Sequence, residues 1–159
     1  MRVSILILFL LSFLPMTLTA QVKVYSKLSN YSNDVICNLV DGKLFKKTSN
    51  YSSDIICHVS GNKIYKGSGN YSSDVLYSVK DGKVYEGNSN YSSDVLFTIK
   101  DGKVYKGTSN YGSDLVATVI DGKVYTGNSN YSSDIEFTIR GLVTIQEFVA
   151  IWHAVKYNW

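Results

Sequence analysis

Ser89 to Gly107 read SNYSSDVLFTIKDGKVYKG, and its opening SNYSSDV returns in near copies every 20 residues, six times in a chain of 159. Asn-Tyr recurs at Asn30-Tyr31, Asn50-Tyr51, Asn70-Tyr71, Asn90-Tyr91, Asn110-Tyr111 and Asn130-Tyr131 with no insertion or deletion. Strict phase of this kind marks a repeat architecture in which each unit makes the same contacts with its neighbours.

Inside the unit, Val95, Phe97 and Ile99 alternate with Leu96, Thr98 and Lys100, the pattern of a strand with one buried face. A two-residue turn follows at Asp41-Gly42, Asp81-Gly82, Asp101-Gly102 and Asp121-Gly122, with Gly61-Asn62 in the same slot. Tight hairpins of this type need positive φ at both central residues, which Gly, Asn and Asp tolerate best. The turn sets the register: Ile99 faces Val104 and Thr98 faces Tyr105. Val95, Phe97, Ile99 and Val104 are then expected on the core face, with Leu96 and Tyr105 on the other.

The repeats open on a second-strand half, KVYSK at Lys23 to Lys27, and close on a first-strand half, IEFTI at Ile135 to Ile139, with five complete hairpins between. Complementary halves suit either a solenoid-like array or a closed meander in which the first strand pairs the last and both edges vanish. After Gly141 the pattern breaks. Thr144 and Glu147 stand at capping-box spacing, and Phe148, Ile151, Trp152, Val155 and Trp159 fall along one helical stripe. An amphipathic helix within 142–159 is expected to cap exposed core at one end of the array.

Residues 1–20 read as a secretion signal: Arg2, the apolar run Ile5 to Leu14, Pro15, and a cut after Ala20. The run is shorter than the ~20 residues a membrane span needs. The chain is thus expected in the periplasm or secreted, not as an integral membrane protein after signal removal, with one domain over 21–141 and the helix behind it. Net charge is +3, and the basic residues are spread at repeat spacing along the chain. That spread reads as a solvated face and gives no ground for nucleic acid or an anionic membrane as partner.

Candidate chemistry lies in columns. Asp34, Asp54, Asp74, Asp94, Asp114 and Asp134 bring one carboxylate per unit beside serines, short of the six to eight oxygens of a calcium site, so they read as turn chemistry. Tyrosines form two lines. Tyr25, Tyr65, Tyr85, Tyr105 and Tyr125 have cross-strand partners and read as packing. The loop line admits a ligand: Asn50, Tyr51, Asn70, Tyr71, Asn90, Tyr91, Asn110, Tyr111, Asn130 and Tyr131, with Asn30 and Tyr31, offer rigid amphipathic area to a surface glycan or another protein. Five of these steps continue as Asn-Tyr-Ser, a glycosylation sequon that in a bacterial chain reflects loop composition.

Cys37 and Cys57 lie one repeat apart. Directly stacked strands, ~4.8 Å apart, would admit a disulfide, whereas alternating hairpins place equivalents beyond the ~7 Å limit and leave free thiols. His58 and His153, the only histidines, have no partner at catalytic or metal spacing, so no enzyme, metal or cofactor is expected.

The unit, together with the ending QEFVAIWHAVKY, resembles uncharacterised bacterial exported tandem-repeat proteins across nearly all of the chain after residue 20. Its length is similar to that of choline-binding repeats, which rely on tryptophan pairs that the units here lack. A looser likeness, in the Val-Tyr pair with a following Tyr and Asp, is to septoil-knot repeats and implies a knotted topology as one option. The expectation is an all-β protein with a structural or adhesive role, or else a carbohydrate-binding module using the Asn-Tyr loops.

Overall fold

The structure, a computed structural model, describes residues 21–157. The expected signal and Trp159 lie outside the described residues. The strands are β1 (Val22–Ser26), β2 (Val35–Val40), β3 (Lys43–Lys46), β4 (Ile55–Ser60), β5 (Lys63–Lys66) and β6 (Val75–Lys80). They continue as β7 (Lys83–Glu86), β8 (Val95–Lys100), β9 (Lys103–Lys106), β10 (Leu115–Ile120), β11 (Lys123–Thr126) and β12 (Ile135–Arg140), followed by the helix α1 (Ile145–Lys156). Each strand is antiparallel to its chain neighbour, and β1 pairs β12, so the sheet closes on itself in chain order without a crossover. Of the two arrangements open to the sequence, the closed meander is the one formed. Among the described residues the sheet is a closed barrel rather than an open solenoid.

Closure reuses the hairpin. Ile139 lies opposite Val24 and Thr138 opposite Tyr25, the register that Ile99–Val104 and Thr98–Tyr105 adopt within one unit. The sixth hairpin is thus assembled from the two ends of the repeat region and lacks only its turn. In the covalent hairpins Asp41, Asp81, Asp101 and Asp121 sit at φ of 49–50° and their glycines at 70–74°. The glycines also meet the next unit: Gly82 O accepts from Ile99 N at 2.7 Å, and a Cβ on Gly82 would lie 2.6 Å from Ile99 O. The turn therefore requires glycine for close approach as well as for positive φ.

A polar latch recurs in all six units. Asn38, Ser78, Thr98 and Thr118 donate to the carbonyl nine residues on, at 2.7–2.8 Å, and His58 Nδ1 bonds Gly67 O at 2.9 Å. Across the seam, Thr138 Oγ1 donates to Lys27 O at 2.6 Å. The accepting residues, from Lys27 through Gly127, all have φ between 50° and 60°.

One expectation of the register is corrected. Phe97 pairs Val84 and Val95 pairs Tyr85, so Leu96 is the extra residue of a β-bulge, which flips the side-chain alternation. Val95 is consequently buried outside the main core, beside Tyr85, and half-buried Leu96 packs against that core. The tyrosine column of the second strands packs as expected: Tyr85 has Ser78 on one side and Val95 on the other.

The helix is not an end cap. Inward residues of all twelve strands, among them Val24, Leu44, Ile64, Val84, Val104 and Val124, share one core with Phe148, Val149, Ala150, Ile151, Trp152 and Ala154. Ala150 touches β4, His153 touches β6, and Trp152 lies against both β8 and β12. α1 therefore runs inside the barrel, buried on more faces than the expected stripe. It enters beside Ile99, Gly102 and Val119 at the hairpin-turn end and leaves beside Lys106 and Leu96 at the opposite end. Thr144 caps it by accepting from Glu147 N, and Glu147 accepts from Thr144 N at 2.8 Å, the capping box expected.

Replacing Thr118 or Thr138 by valine deletes one latch in a covalent hairpin or at the seam. Each change is expected to lower unfolding free energy by about 1 kcal/mol, and by equal amounts, in denaturant titrations. A much smaller loss for Thr138→Val would show that the seam frays.

Candidate functional site

The end of the barrel opposite the hairpin turns carries six loops, five of them built by the same Ser, Tyr and Asp. In the fourth loop, Ser89 Oγ accepts from Tyr91 N at 3.2 Å and donates to Asp94 Oδ2, while Asp94 N donates to Tyr91 O at 3.0 Å to close a single 3-10 turn over Ser92–Asp94. The same Ser–Asp contact is 2.6 Å at Ser49–Asp54 and at Ser109–Asp114. Hydroxyl donors, Ser89 first and then Ser93, hold the Asp94 carboxyl below its ordinary range. In the third loop Gly69 replaces the serine, and Asp74 Oδ2 takes the Tyr71 N–H directly at 3.1 Å. The aspartate column is thus spent on loop geometry, and among the described residues no group of three His, Cys, Asp or Glu is placed to hold a metal ion.

What this scaffolding holds out is the tyrosine. Tyr31, Tyr51, Tyr71, Tyr91, Tyr111 and Tyr131 are 72–74% exposed, and the adjacent asparagines are exposed too. In the second loop Asn50 and Tyr51 join Lys46, Lys47, Thr48, Ser49 and Asp54 around a shallow cleft of about 660 Å³. The candidate residues are therefore brought to one end of the molecule, one pair per unit.

The lumen carries the other distinctive chemistry, and one column explains it. Position 97 and its equivalents, each pointing inward, are Cys37, Cys57, Tyr77, Phe97, Ala117 and Phe137. A single helix cannot obey sixfold symmetry, so the residues facing it must differ. On the side of β2 and β4 the small cysteines admit the helix backbone, with Cys57 Sγ 3.9 Å from Ala150 O. On the far side Phe97 and Phe137 flank Trp152, with ring centroids 6.1 and 6.4 Å away, in the sector whose own residue is Ala117. Both cysteines are free and buried, with β3 between their strands, so the bridge that the sequence left open is not formed.

His58, stacked on Tyr65 at 5.2 Å, serves the latch. His153 bonds Tyr77 Oη at 2.9 Å and stacks on Tyr157, beside a cleft that Lys46 and Lys66 also line. Burial lowers the His153 pKa below its ordinary value. The same effect raises Tyr77 to about 12 and Cys57 to about 12. Sequence reasoning missed the Tyr77–His153 contact. Its signal was the variability of this one inward column within otherwise uniform units.

The chain is thus a repeat protein of six hairpin pairs closed into a ring around its own C-terminal helix. Residues 24–152 match the model of the 6-fold beta flower protein family, and the chain belongs to that family. No curated protein and no solved structure matches it.

Two outcomes follow from the lumen. Cys57→Ala is expected to cost about 1 kcal/mol, whereas Cys57→Phe should cost about 2–3 kcal/mol by overpacking against the helix backbone, as read by thermal unfolding. The second concerns acid. With a folded pKa below the unfolded value of 6.5, His153 contributes stability that is present above that pH and lost as pH falls through the folded value. The unfolding midpoint should drop on the acid side of pH 6.5, and His153→Gln should flatten that limb.

Proposed function

We propose that this protein is an exported, non-catalytic interaction scaffold that presents six equivalent Asn-Tyr edges at one end of a closed barrel. The observation that carries the reading is the exposure of all six loop tyrosines, on loops held by the aspartate, through a Ser–Asp bond in five and directly in the third. Solvation would be better served by a polar residue. A rigid, exposed aromatic instead provides contact area at low entropic cost. Repetition round a ring adds avidity, because once one edge is engaged the others act at high effective concentration.

Export rests on Arg2, the apolar run from Ile5 to Leu14 and the cut expected after Ala20. The absence of catalysis is supported by the use of both histidines in packing and latch contacts. The second reading, a carbohydrate-binding module, is favoured by the cleft at Asn50 and Tyr51, where a ring face, an amide and hydroxyls converge.

A glycan array and a cell-adhesion assay separate the two. The double variant Tyr91→Ala, Tyr111→Ala should weaken adhesion at least about tenfold through lost avidity while shifting stability by no more than about 0.5 kcal/mol, since both side chains are exposed. Glycan binding abolished by the same variant makes the protein a carbohydrate-binding module. Adhesion unchanged by it refutes the role of the loops.

A further inference from the structure

Nine basic residues that are dispersed along the sequence are gathered by the ring onto one end. Each second strand begins with a lysine immediately after the turn, giving the column Lys23, Lys43, Lys63, Lys83, Lys103 and Lys123. The residue before the turn adds Lys80, Lys100 and Arg140. Against these nine cations the hairpin-turn end has five carboxylates: Asp41, Asp81, Asp101, Asp121 and, on the first turn of α1, Glu147. The loop end has the opposite balance, with eight carboxylates to six lysines. A chain of modest net charge is therefore strongly polarised along its barrel axis.

The cations at the turn end are arranged against their own stability. Lys80 stands directly across from Lys83, Lys100 from Lys103, and Arg140 from Lys23, and like charges directly opposite in a sheet repel. The ion pair Lys156–Glu136 lies at the other end. Nothing in the fold requires these pairs, because Val40, Ser60 and Ile120 fill the same slot in the remaining units. An anionic surface outside the molecule would relieve them.

One further feature shares this end. Leu142, in the link between β12 and α1, is 98% exposed, next to half-buried Val143 and Ile145, which line an apolar cleft with Ile99 and Val119. A protruding leucine has no counterpart on a nucleic acid or an acidic polysaccharide, whereas a bilayer accepts it beneath a ring of headgroup-binding cations.

We infer that the hairpin-turn end is a docking face for an anionic phospholipid surface, with the lysine ring on the headgroups and Leu142 inserted among the acyl chains. The barrel then lies with its Asn-Tyr loops turned away from the membrane. This surface is distinct from the loops, and its failure would leave their role intact.

The test is co-sedimentation of residues 21–159, which contain every described strand and the helix, with vesicles of phosphatidylglycerol and phosphatidylcholine in equal parts. Pure phosphatidylcholine vesicles are the comparison. Binding should require the anionic lipid and fall as salt rises. Lys100→Glu with Lys103→Glu should reduce partitioning at least about tenfold, and Leu142→Asp should reduce it severalfold. Lys27→Glu with Lys47→Glu, at the loop end, should leave it unchanged. Thermal melts confirm that all three variants fold. Equal binding to neutral vesicles, retention by heparin or duplex DNA without vesicle binding, insensitivity to Leu142→Asp, or an equal effect of the loop-end variant would each overturn the inference.

Discussion

A ring of twelve strands encloses more space than its own inward side chains fill, and the rest of this structure depends on how that space is occupied. Val24, Leu44, Ile64, Val84, Val104 and Val124 are fully buried at one level of the wall, but branched aliphatics alone do not reach across a bore of this size. α1 supplies the missing core. Its burial makes the helix and the ring mutually dependent: the strands need it as filling, and a helix of 12 residues would be marginal in water alone. The capping box at Thr144 and Glu147 starts that helix at the mouth of the bore.

The filling divides the unit into two kinds of position. Those that touch only a neighbouring unit repeat closely: the Ser–Asp loops, the turns, the latch and the tyrosine that packs between Ser78 and Val95 or their equivalents. The inward column at Phe97 and its equivalents does not repeat, because the helix presents a different side chain in each direction. The series from Cys37 to Phe137 maps that asymmetry onto the sequence, small where the helix backbone approaches, aromatic where it stands off, and small again where Trp152 reaches the wall. Buried thiols are found here as small apolar groups.

Much of this was legible beforehand. The period, the hairpins, their register and the capping box follow from local rules, since turn chemistry and side-chain alternation act within a few residues. The half-units at Lys23 to Lys27 and Ile135 to Ile139 made closure one of two possibilities, but choosing between them depends on a pairing between distant parts of the chain that no local pattern encodes. The bulge at Leu96 was hidden because an alternating run of Val95, Phe97 and Ile99 looks the same with or without it. The helix was recognised, but its place was not: an apolar stripe fits an end cap or a lumen equally well, and only the burial of Val149, Ala150 and Ala154 distinguishes them. The loop tyrosines could be singled out as candidates from the repeat alone, whereas the clustering of charge could not be seen in a linear reading, since residues 20 apart become neighbours only after the ring closes.

The seam between β1 and β12 also makes the number of units a discrete variable. Tandem repeats with near-identical units are prone to gain or lose a copy, and an open array absorbs such changes by growing longer or shorter. Here an added unit would widen the bore by two strands, so that Phe137 and Cys57 could no longer both reach the same helix. A deleted unit would leave no room for Trp152. A chain built from interchangeable parts is thereby held to one count, and the element that measures it is the single segment that does not repeat.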